Sequence, residues 1–211
     1  MRTCNVGNFY WIGGCPSGGK TTLAEKISEI YDIPIYHTDD HSLEYGLRIN
    51  AKAPDFHREI NMNFVESIVT MPDEPWFNIF IEGLRALCSI VLDDVTKLFA
   101  YDDVIIEGGE LLPEFMFETG ISNQAICVNP TYEHLHEYLP KQKWVIGILS
   151  NLSNDEYKSI FLNRLVFKYN LFREHVIETA EKFNIKTVVT TPNSFENNVK
   201  IASQHFSLPT K

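Results

Sequence analysis

A glycine-rich segment near the start of the chain has the residue types and spacing that bind phosphate groups. Residues 14–21 read GCPSGGKT and match the pattern GxxxxGK[ST] in full. Glycines let backbone N–H groups approach phosphate oxygens closely, and Lys20 can carry a positive charge to them. The Thr21 hydroxyl suits Mg²⁺, which prefers oxygen ligands. The predicted nucleoside triphosphate site consists of Gly14, Ser17, Gly18, Gly19, Lys20, Thr21 and Thr22.

The residues on either side of this segment supply the structural context that phosphate binding needs. Residues 9–13, FYWIG, form an apolar run that predicts a buried strand. After the segment, Leu23, Ile27 and Ile30 recur at helical spacing, which predicts a helix. The N-terminus of a helix has free N–H groups and partial positive charge, so it favours a bound anion. Pattern and context together indicate a strand, a phosphate loop and a helix in succession.

Short apolar runs alternate with helical patterns along the rest of the chain. The predicted strands are residues 9–13, 33–37, 103–107, 124–128 and 185–190. The later predicted helices are residues 55–70, 74–100, 131–139, 155–183, which could break near Asn170, and 194–206. This alternation is typical of a parallel sheet covered by helices on both faces. We expect a single α/β domain over residues 1–211, with three layers (α/β/α) and five mostly parallel strands. A helical insert at 41–100, between the second and third strands, could form a flap.

Acidic residues follow two of the predicted strands. Asp39 and Asp40 come after the second strand, and Glu107 ends the third. Ligands of open α/β sheets bind beyond the carboxyl ends of the strands, so these carboxylates should meet the phosphate loop in one crevice. Asp39 and Asp40 are adjacent on a segment predicted to be extended, so only one of them should face the site. The sequence leaves open which one it is. Burying a charge is energetically costly, so a glutamate at the end of a buried strand favours a functional role for Glu107.

The phosphate loop, the order of the predicted strands and the acids at their ends resemble the small P-loop kinases. This group includes adenylate, shikimate and gluconate kinases. The resemblance implies a nucleotide-kinase-like P-loop NTPase fold. It also implies transfer of the γ-phosphoryl group of Mg-ATP to a small metabolite or nucleotide. By the same resemblance, Asp39 or Asp40 would contact the acceptor or the water shell of Mg²⁺, and Glu107 would complete the metal site that includes Thr21.

Two departures from the family leave the acceptor open. A DxD motif like that of shikimate kinases would need aspartate at position 38, which is Thr38. The DGFPR motif of adenylate kinases is replaced by residues 107–111, EGGEL. Neither the acceptor nor the choice of ATP over another triphosphate follows from the sequence.

Cations for the transferring phosphoryl group are expected between the fourth and fifth strands, where similar kinases carry lid arginines. This interval contains Lys158, Arg164, Lys168 and Arg173. Arg164 and Lys168 share one face of a continuous helix, and we expect a catalytic contribution from Arg164 and one other cation. In the insert, Arg85 lies in an apolar helix, where it either binds an anionic acceptor or pairs with Glu82 or Asp93.

Composition and charge narrow the class of protein. The 211 residues carry a formal charge of −10 with no strong basic cluster, which argues against nucleic acid as a partner. No run approaches the length needed to span a membrane, and the N-terminus does not resemble a secretory signal. The four cysteines, Cys4, Cys15, Cys88 and Cys127, lack metal or redox spacing and predict free thiols in the cytoplasm. Cys15, inside the phosphate loop, is either a small space-filling residue or a redox-sensitive thiol.

Three classes of function remain open at this point. The first is a kinase of a small molecule or nucleotide, active as a monomer or a homodimer. The second is a nucleotide-binding regulatory protein that hydrolyses its nucleotide slowly, and the third is a non-enzymatic ATP-binding module of a larger assembly. A switch GTPase is disfavoured because residues 129–132, NPTY, lack an NKxD-type specificity motif after the fourth strand. The insert has the size of an acceptor-binding element, which favours the kinase.

Overall fold

The computed structural model describes residues 8–99 and 102–209, and its centre is a sheet of five parallel strands. The strands are β1 Phe9–Gly14, β2 Ile35–His37, β3 Val104–Glu107, β4 Ala125–Pro130 and β5 Lys186–Thr190. Their spatial order is β2-β3-β1-β4-β5, and every neighbouring pair is parallel. The predicted α/β class is therefore confirmed. Cys4 and the N-terminal segment lie outside the described residues.

Helices cover both faces of this sheet. They are α1 Lys20–Tyr31, α2 Ser42–Lys52, α3 Phe64–Thr70, α4 Asp73–Leu98, α5 Pro113–Glu118, α6 Tyr132–Tyr138, α7 Lys143–Asn151, α8 Asp155–Lys182 and α9 Phe195–His205. Strand side chains alternate between the two cores: Trp11 and Ile106 lie in the larger one, and Ile12 and Ile105 in the smaller. The smaller core is closed by α1 and α9, and the larger by the remaining long helices. The structure thus has three layers, as predicted.

The insert differs from its predicted form. Residues 42–52 form α2, which the pattern did not predict, and residues 55–70 form two elements instead of one helix. These are a π-helical turn, Phe56–Asn61, and the short helix α3. In contrast, α8 is continuous and does not break near Asn170. The Asn170 amide donates to Glu174 Oε1 on the next turn (3.0 Å), while Tyr169 and Phe172 beside it are buried. Packing on both sides holds the helix straight through this position.

Helix α4 corrects the expectation that no segment approaches a membrane span. Among the described residues, it alone is long and apolar enough to cross a bilayer by length and composition. In the structure Trp76, Cys88 and Val91 of this helix are buried in the larger core. Phe80 of α4 also meets Phe172 of α8 edge to face, with ring centroids 5.4 Å apart. Its apolar composition therefore serves packing within this fold.

Candidate active site

The glycine-rich segment forms a tight loop between β1 and α1. Gly14 (φ 121°) and Gly19 (φ 83°) adopt backbone angles that side chains disfavour. A Cβ atom at Gly14 or Gly18 would collide with the backbone of Val128 on β4. The loop therefore lies directly on the neighbouring strand, and only glycine permits that approach.

Side chains from two strand ends hold this loop in place. The Cys15 N–H donates to Asn129 Oδ1 on β4 (3.2 Å), and the Thr190 hydroxyl at the end of β5 donates to the Gly18 carbonyl. Helix α1 begins at Lys20, and its N-cap Gly19 makes no side-chain capping bond. The first N–H groups of the helix consequently remain available to an anion at the loop.

Next to the loop lies a cavity of about 610 Å³, here called the phosphate cavity. Its lining residues are Pro16, Ser17, Gly19, Lys20, Thr21, Thr22, Asp39, Ser42, Glu107, Gly109, His134, Tyr138, Gln142, Trp144 and Tyr169. The structure thus brings together most of the predicted site, while Gly14 and Gly18 of the loop rest on Val128 and do not line the cavity. Lys20 Nζ donates to the Cys15 carbonyl (3.2 Å), so the lysine folds back over the loop.

Asp39 and Asp40 occupy different positions in the short 3₁₀ turn Thr38–His41 that follows β2. The segment is helical and not extended, so successive side chains diverge by about 120°. Both side chains are exposed, but Asp39 lines the phosphate cavity and Asp40 does not. The position of the turn makes Asp39 the carboxylate that faces the site.

Glu107 lies buried at the carboxyl end of β3, with 4% of its surface exposed. Its Oε2 atom hydrogen bonds to His37 Nδ1 at 3.1 Å, and the two residues are partners in the β2–β3 register. This histidine was not among the predicted site residues. Cross-strand pairing gives the buried carboxylate a partner while it still lines the cavity together with Thr21.

The cations expected from α8 lie elsewhere. Arg164 Nη2 pairs with Asp73 Oδ1 (2.6 Å), and the fully buried Lys168 donates from Nζ to the Met71 carbonyl (2.8 Å). Both residues hold the turn between α3 and α4, because this face of α8 packs on the insert. Burial, with Arg164 nearby, lowers the pKa of Lys168 to about 8, although Asp73 opposes the shift.

Two more arginines are also engaged away from the phosphate cavity. Arg173 donates from Nε to the Pro130 carbonyl (2.7 Å), and Arg85 pairs with Glu118 at 2.6 Å in place of Glu82 or Asp93. Of the described residues that line the phosphate cavity, Lys20 is the only lysine or arginine. Lys20 and the loop N–H groups therefore supply positive charge inside the cavity, while Arg173 acts on the loop at Cys15 from outside the lining.

A second, smaller pocket of about 150 Å³ adjoins the phosphate cavity and is here called the acidic pocket. Its lining residues are Thr38, Asp39, Ser42, Tyr45, Gly46, Ile49, Phe56, Asn61, Leu87 and Glu110. Asp39 and Ser42 line both spaces. The acidic pocket is formed by the 3₁₀ turn, α2, the π-helical turn, α4 and the segment after β3.

Glu110 is the buried carboxylate of the acidic pocket. It is 7% exposed, and its Oε1 atom has no hydrogen-bond partner among the described residues. Burial raises its pKa to about 7, with a further rise from Asp39, while the neighbouring Thr38 hydroxyl and Lys20 act in the opposite direction. Glu110 was not among the residues predicted for the site.

Two further residues lie in or beside the loop. His134 lines the phosphate cavity and stacks on Tyr138 with ring centroids 4.2 Å apart. Cys15 is fully buried, and burial raises the pKa of its thiol to about 12. Since the thiolate is the reactive form, this environment favours the space-filling role of Cys15 over a redox switch.

The phosphate loop connects the central strand of the parallel sheet to the N-terminus of α1. The chain has an α/β P-loop fold. No protein-family model and no curated protein matches its sequence.

Similar solved structures include two shikimate kinases. The enzyme from Acinetobacter baumannii, in complex with shikimate, is 17% identical over 95% of this chain and 94% of that chain, with a TM-score of 0.48. The enzyme from Bacteroides thetaiotaomicron is 16% identical over 95% and 98%, with a TM-score of 0.47. The protein TT1252 from Thermus thermophilus is 14% identical over 98% and 100%, with a TM-score of 0.49. Similarity at these identities and TM-scores concerns the overall architecture alone and does not identify a substrate for this chain.

Proposed function

We propose that the protein transfers the γ-phosphoryl group of ATP to a hydroxyl group of a small acceptor. The observation that carries this proposal is the junction of two spaces at Asp39 and Ser42. One space is bordered by a phosphate loop, and the other has room for a small molecule. A carboxylate at the junction suits a reaction between their contents, because it can orient a hydroxyl and accept its proton.

Phosphate binding is assigned to the loop and the start of α1. The N–H groups of residues 17–21 would meet phosphate oxygens, and Lys20 would leave the Cys15 carbonyl to reach the β- and γ-phosphates. Phosphoryl transfer depends mainly on positioning and neutralisation of charge, so this set supplies much of what the reaction needs.

Magnesium fits the oxygen groups that line the phosphate cavity. The Thr21 hydroxyl and the Glu107 carboxylate would hold Mg²⁺, directly or through water, and the ion would neutralise charge on the phosphates. Among the described residues, no cluster of three or more His, Cys, Asp or Glu side chains is placed to hold a metal alone. The ion would therefore be held jointly by the protein and the nucleotide.

Asp39 is assigned the catalytic carboxylate role. The acceptor oxygen would form a bond to the γ-phosphorus as the bond to the β–γ bridging oxygen breaks. The acceptor proton would pass to Asp39, and ADP would leave with the electron pair of the broken bond. Asp40 and Arg164 are left out of this catalytic set because Asp40 lines neither space and Arg164 is paired with Asp73.

The setting proposed for this reaction is the cytoplasm. Cys15, Cys88 and Cys127 are free and buried, which suits a reducing compartment. The proposed active form is a monomer or a homodimer.

An ATP-turnover screen against nucleosides, nucleotides, polyols, amino alcohols and hydroxy acids tests the function. We expect acceptor-dependent formation of ADP and of a phosphorylated product, and loss of both in Lys20→Ala. Lys26→Ala is the matched control, because Lys26 lies on the same helix and pairs with Glu29 outside the phosphate cavity. ATP binding without transfer to any acceptor would favour the slow-hydrolysis alternative.

A further inference from the structure

The charge and size of the acidic pocket point to one class of acceptor. We infer that the acidic pocket binds a small amino alcohol, a hydroxyl compound that carries a positively charged amine. This inference rests on the proposed phosphotransfer function and narrows it to a substrate class. The inference is supported by the carboxylates of Asp39 and Glu110, by the volume of the acidic pocket and by its position beside the phosphate cavity.

Carboxylates line the acidic pocket, and the cation that acts on Glu110, Lys20, lies in the phosphate cavity and not in this lining. Asp39 and Glu110 both line it, and none of its described lining residues is a lysine or arginine. The nearby Arg48 of α2 is engaged by Asp94 through two hydrogen bonds (2.5 and 3.0 Å) and by Glu44. An anionic acceptor would thus face two carboxylates without a positive partner, which disfavours hydroxy acids and nucleotides.

Glu110 indicates where the amine lies. The side chain is more than nine-tenths buried, and its Oε1 atom has no hydrogen-bond partner among the described residues. The Thr38 hydroxyl beside it opposes the rise in the pKa of this carboxylate, so Oε1 is the oxygen of Glu110 that lacks a donor. A buried carboxylate oxygen without a donor is costly, and an ammonium group supplies both charge and several donors. A neutral polyol would supply donors but no charge.

The size of the acidic pocket limits the acceptor. A cavity of about 150 Å³ is known to hold a molecule the size of benzene, so about six to eight non-hydrogen atoms fit here. Ile49, Phe56 and Leu87 provide an apolar wall for the carbon skeleton. A nucleoside is too large for this space.

The shared residue Asp39 fixes the orientation of the acceptor. Asp39 lies at the junction with the phosphate cavity, whereas Glu110 lines the acidic pocket alone. An amine at Glu110 would leave the hydroxyl at Asp39, directed toward the phosphates. The hydroxyl would then give its proton to Asp39 as its oxygen bonds to the γ-phosphorus.

Three probes of similar size and different charge test the inference: serinol (cationic), glycerol (neutral) and glycerate (anionic). Each is titrated into the protein with a non-hydrolysable ATP analogue and Mg²⁺, and binding is followed by ligand-observed NMR. We expect serinol to bind at least about tenfold more tightly than glycerol, since a charged hydrogen bond contributes more than a neutral one. Glycerate should bind the weakest. Equal binding of serinol and glycerol, or preference for glycerate, would overturn the inference.

Variants connect this preference to Glu110. Glu110→Gln should remove most of the advantage of serinol over glycerol and leave binding of the ATP analogue unchanged. Glu118→Gln is the charge-matched control, because Glu118 is exposed and pairs with Arg85 outside the acidic pocket. Gly46→Ala is a second variant that keeps the charge, and its new Cβ atom would meet nothing closer than Asn61 Nδ2 at 3.5 Å. The added methyl group should weaken serinol binding severalfold by filling space. Wild-type preference in Glu110→Gln together with wild-type serinol affinity in Gly46→Ala would contradict the assignment.

Transfer assays with ATP separate the two levels of the proposal. Serinol binding without transfer to any acceptor would defeat the kinase function and leave the pocket chemistry standing. Transfer to glycerate or a nucleotide, with serinol inactive, would defeat the amino-alcohol inference and leave the kinase standing.

Discussion

The phosphate loop and the acidic pocket share a boundary at Asp39 but are built in opposite ways. The loop is one contiguous segment whose binding groups are backbone N–H groups, and its glycines rest on the backbone of β4. The acidic pocket is assembled from side chains that range from Thr38 to Glu110 along the chain. One region binds through local backbone geometry and the other through tertiary packing.

The two regions also differ in charge. Lys20 and the start of α1 make the loop attractive to anions, whereas Asp39 and Glu110 make the acidic pocket attractive to cations. In the proposed reaction the donor and the acceptor would enter separate, electrically distinct sites. Substitutions on either side of the boundary should therefore have separable effects.

The largest expected effect is at the boundary itself. Asp39→Asn should lower the transfer rate by roughly a hundredfold to ten-thousandfold while ATP affinity stays nearly constant, since a positioned base is lost. Calorimetry with ATP and single-turnover rates with the acceptor measure the two quantities. Asp40→Asn is the matched control and should keep near-normal rates. Equal behaviour of the two variants would remove the special role of the boundary carboxylate.

Glu110 of the acidic pocket should make the free energy of unfolding depend on pH, an effect that we do not expect from the phosphate loop. Its pKa is raised from 4.5 to about 7, so between these values the folded state holds more protons than the unfolded state. The free energy of unfolding should therefore fall as pH rises through this window, by on the order of 3 kcal/mol. Glu110→Gln should lack this component, while Glu118→Gln should retain it. Denaturant titrations across the window measure the difference, and parallel curves for wild type and Glu110→Gln would refute it.

A change at the loop should act on the metal and spare the acidic pocket. Thr21→Val removes the proposed hydroxyl ligand and should weaken Mg²⁺-dependent turnover by at least about tenfold. Circular dichroism should show an unchanged fold because Thr21 is exposed in the described structure. Serinol binding in the absence of nucleotide should stay at the wild-type level. Unchanged turnover across a Mg²⁺ titration would argue against this ligand.

The smallest expected effect concerns protection of the backbone. Hydrogen exchange should show that ATP with Mg²⁺ protects residues 14–22, whereas protection of residues 41–61 in the insert requires the acceptor as well. Each ligand orders the region that it touches. Identical protection of the insert with and without a saturating acceptor would count against its role in acceptor binding.

The same contrast explains what the sequence could predict. Each of the five strands lies within about two residues of its predicted position, because buried parallel strands produce apolar runs bounded by turn residues. The phosphate loop was also predictable, since its groups are contiguous and its glycines have a backbone purpose. The short helices α2, α5 and α7 were missed because their apolar stripes are brief.

The acidic pocket was hidden for a different reason. Glu110 gains its significance from Thr38 and Asp39, which lie about 70 positions away along the chain and become neighbours only through the parallel pairing of β2 and β3. Arg164 illustrates the converse. Its helical face was predicted correctly, but the partner of that face is Asp73 of the insert and not a phosphate. Helical periodicity shows which residues share a face but not what covers it.

The central claim is that the two spaces joined at Asp39 are the donor and acceptor sites of one reaction. Its most direct test follows the fate of a radiolabelled γ-phosphate from ATP in a single turnover, with and without serinol. With phosphotransfer across this junction, serinol should redirect the label from inorganic phosphate to a phosphorylated amino alcohol, and Asp39→Asn should abolish this redirection. Release of the label only as inorganic phosphate, at the same slow rate with any acceptor, would contradict the account and identify a nucleotide-hydrolysing regulatory protein.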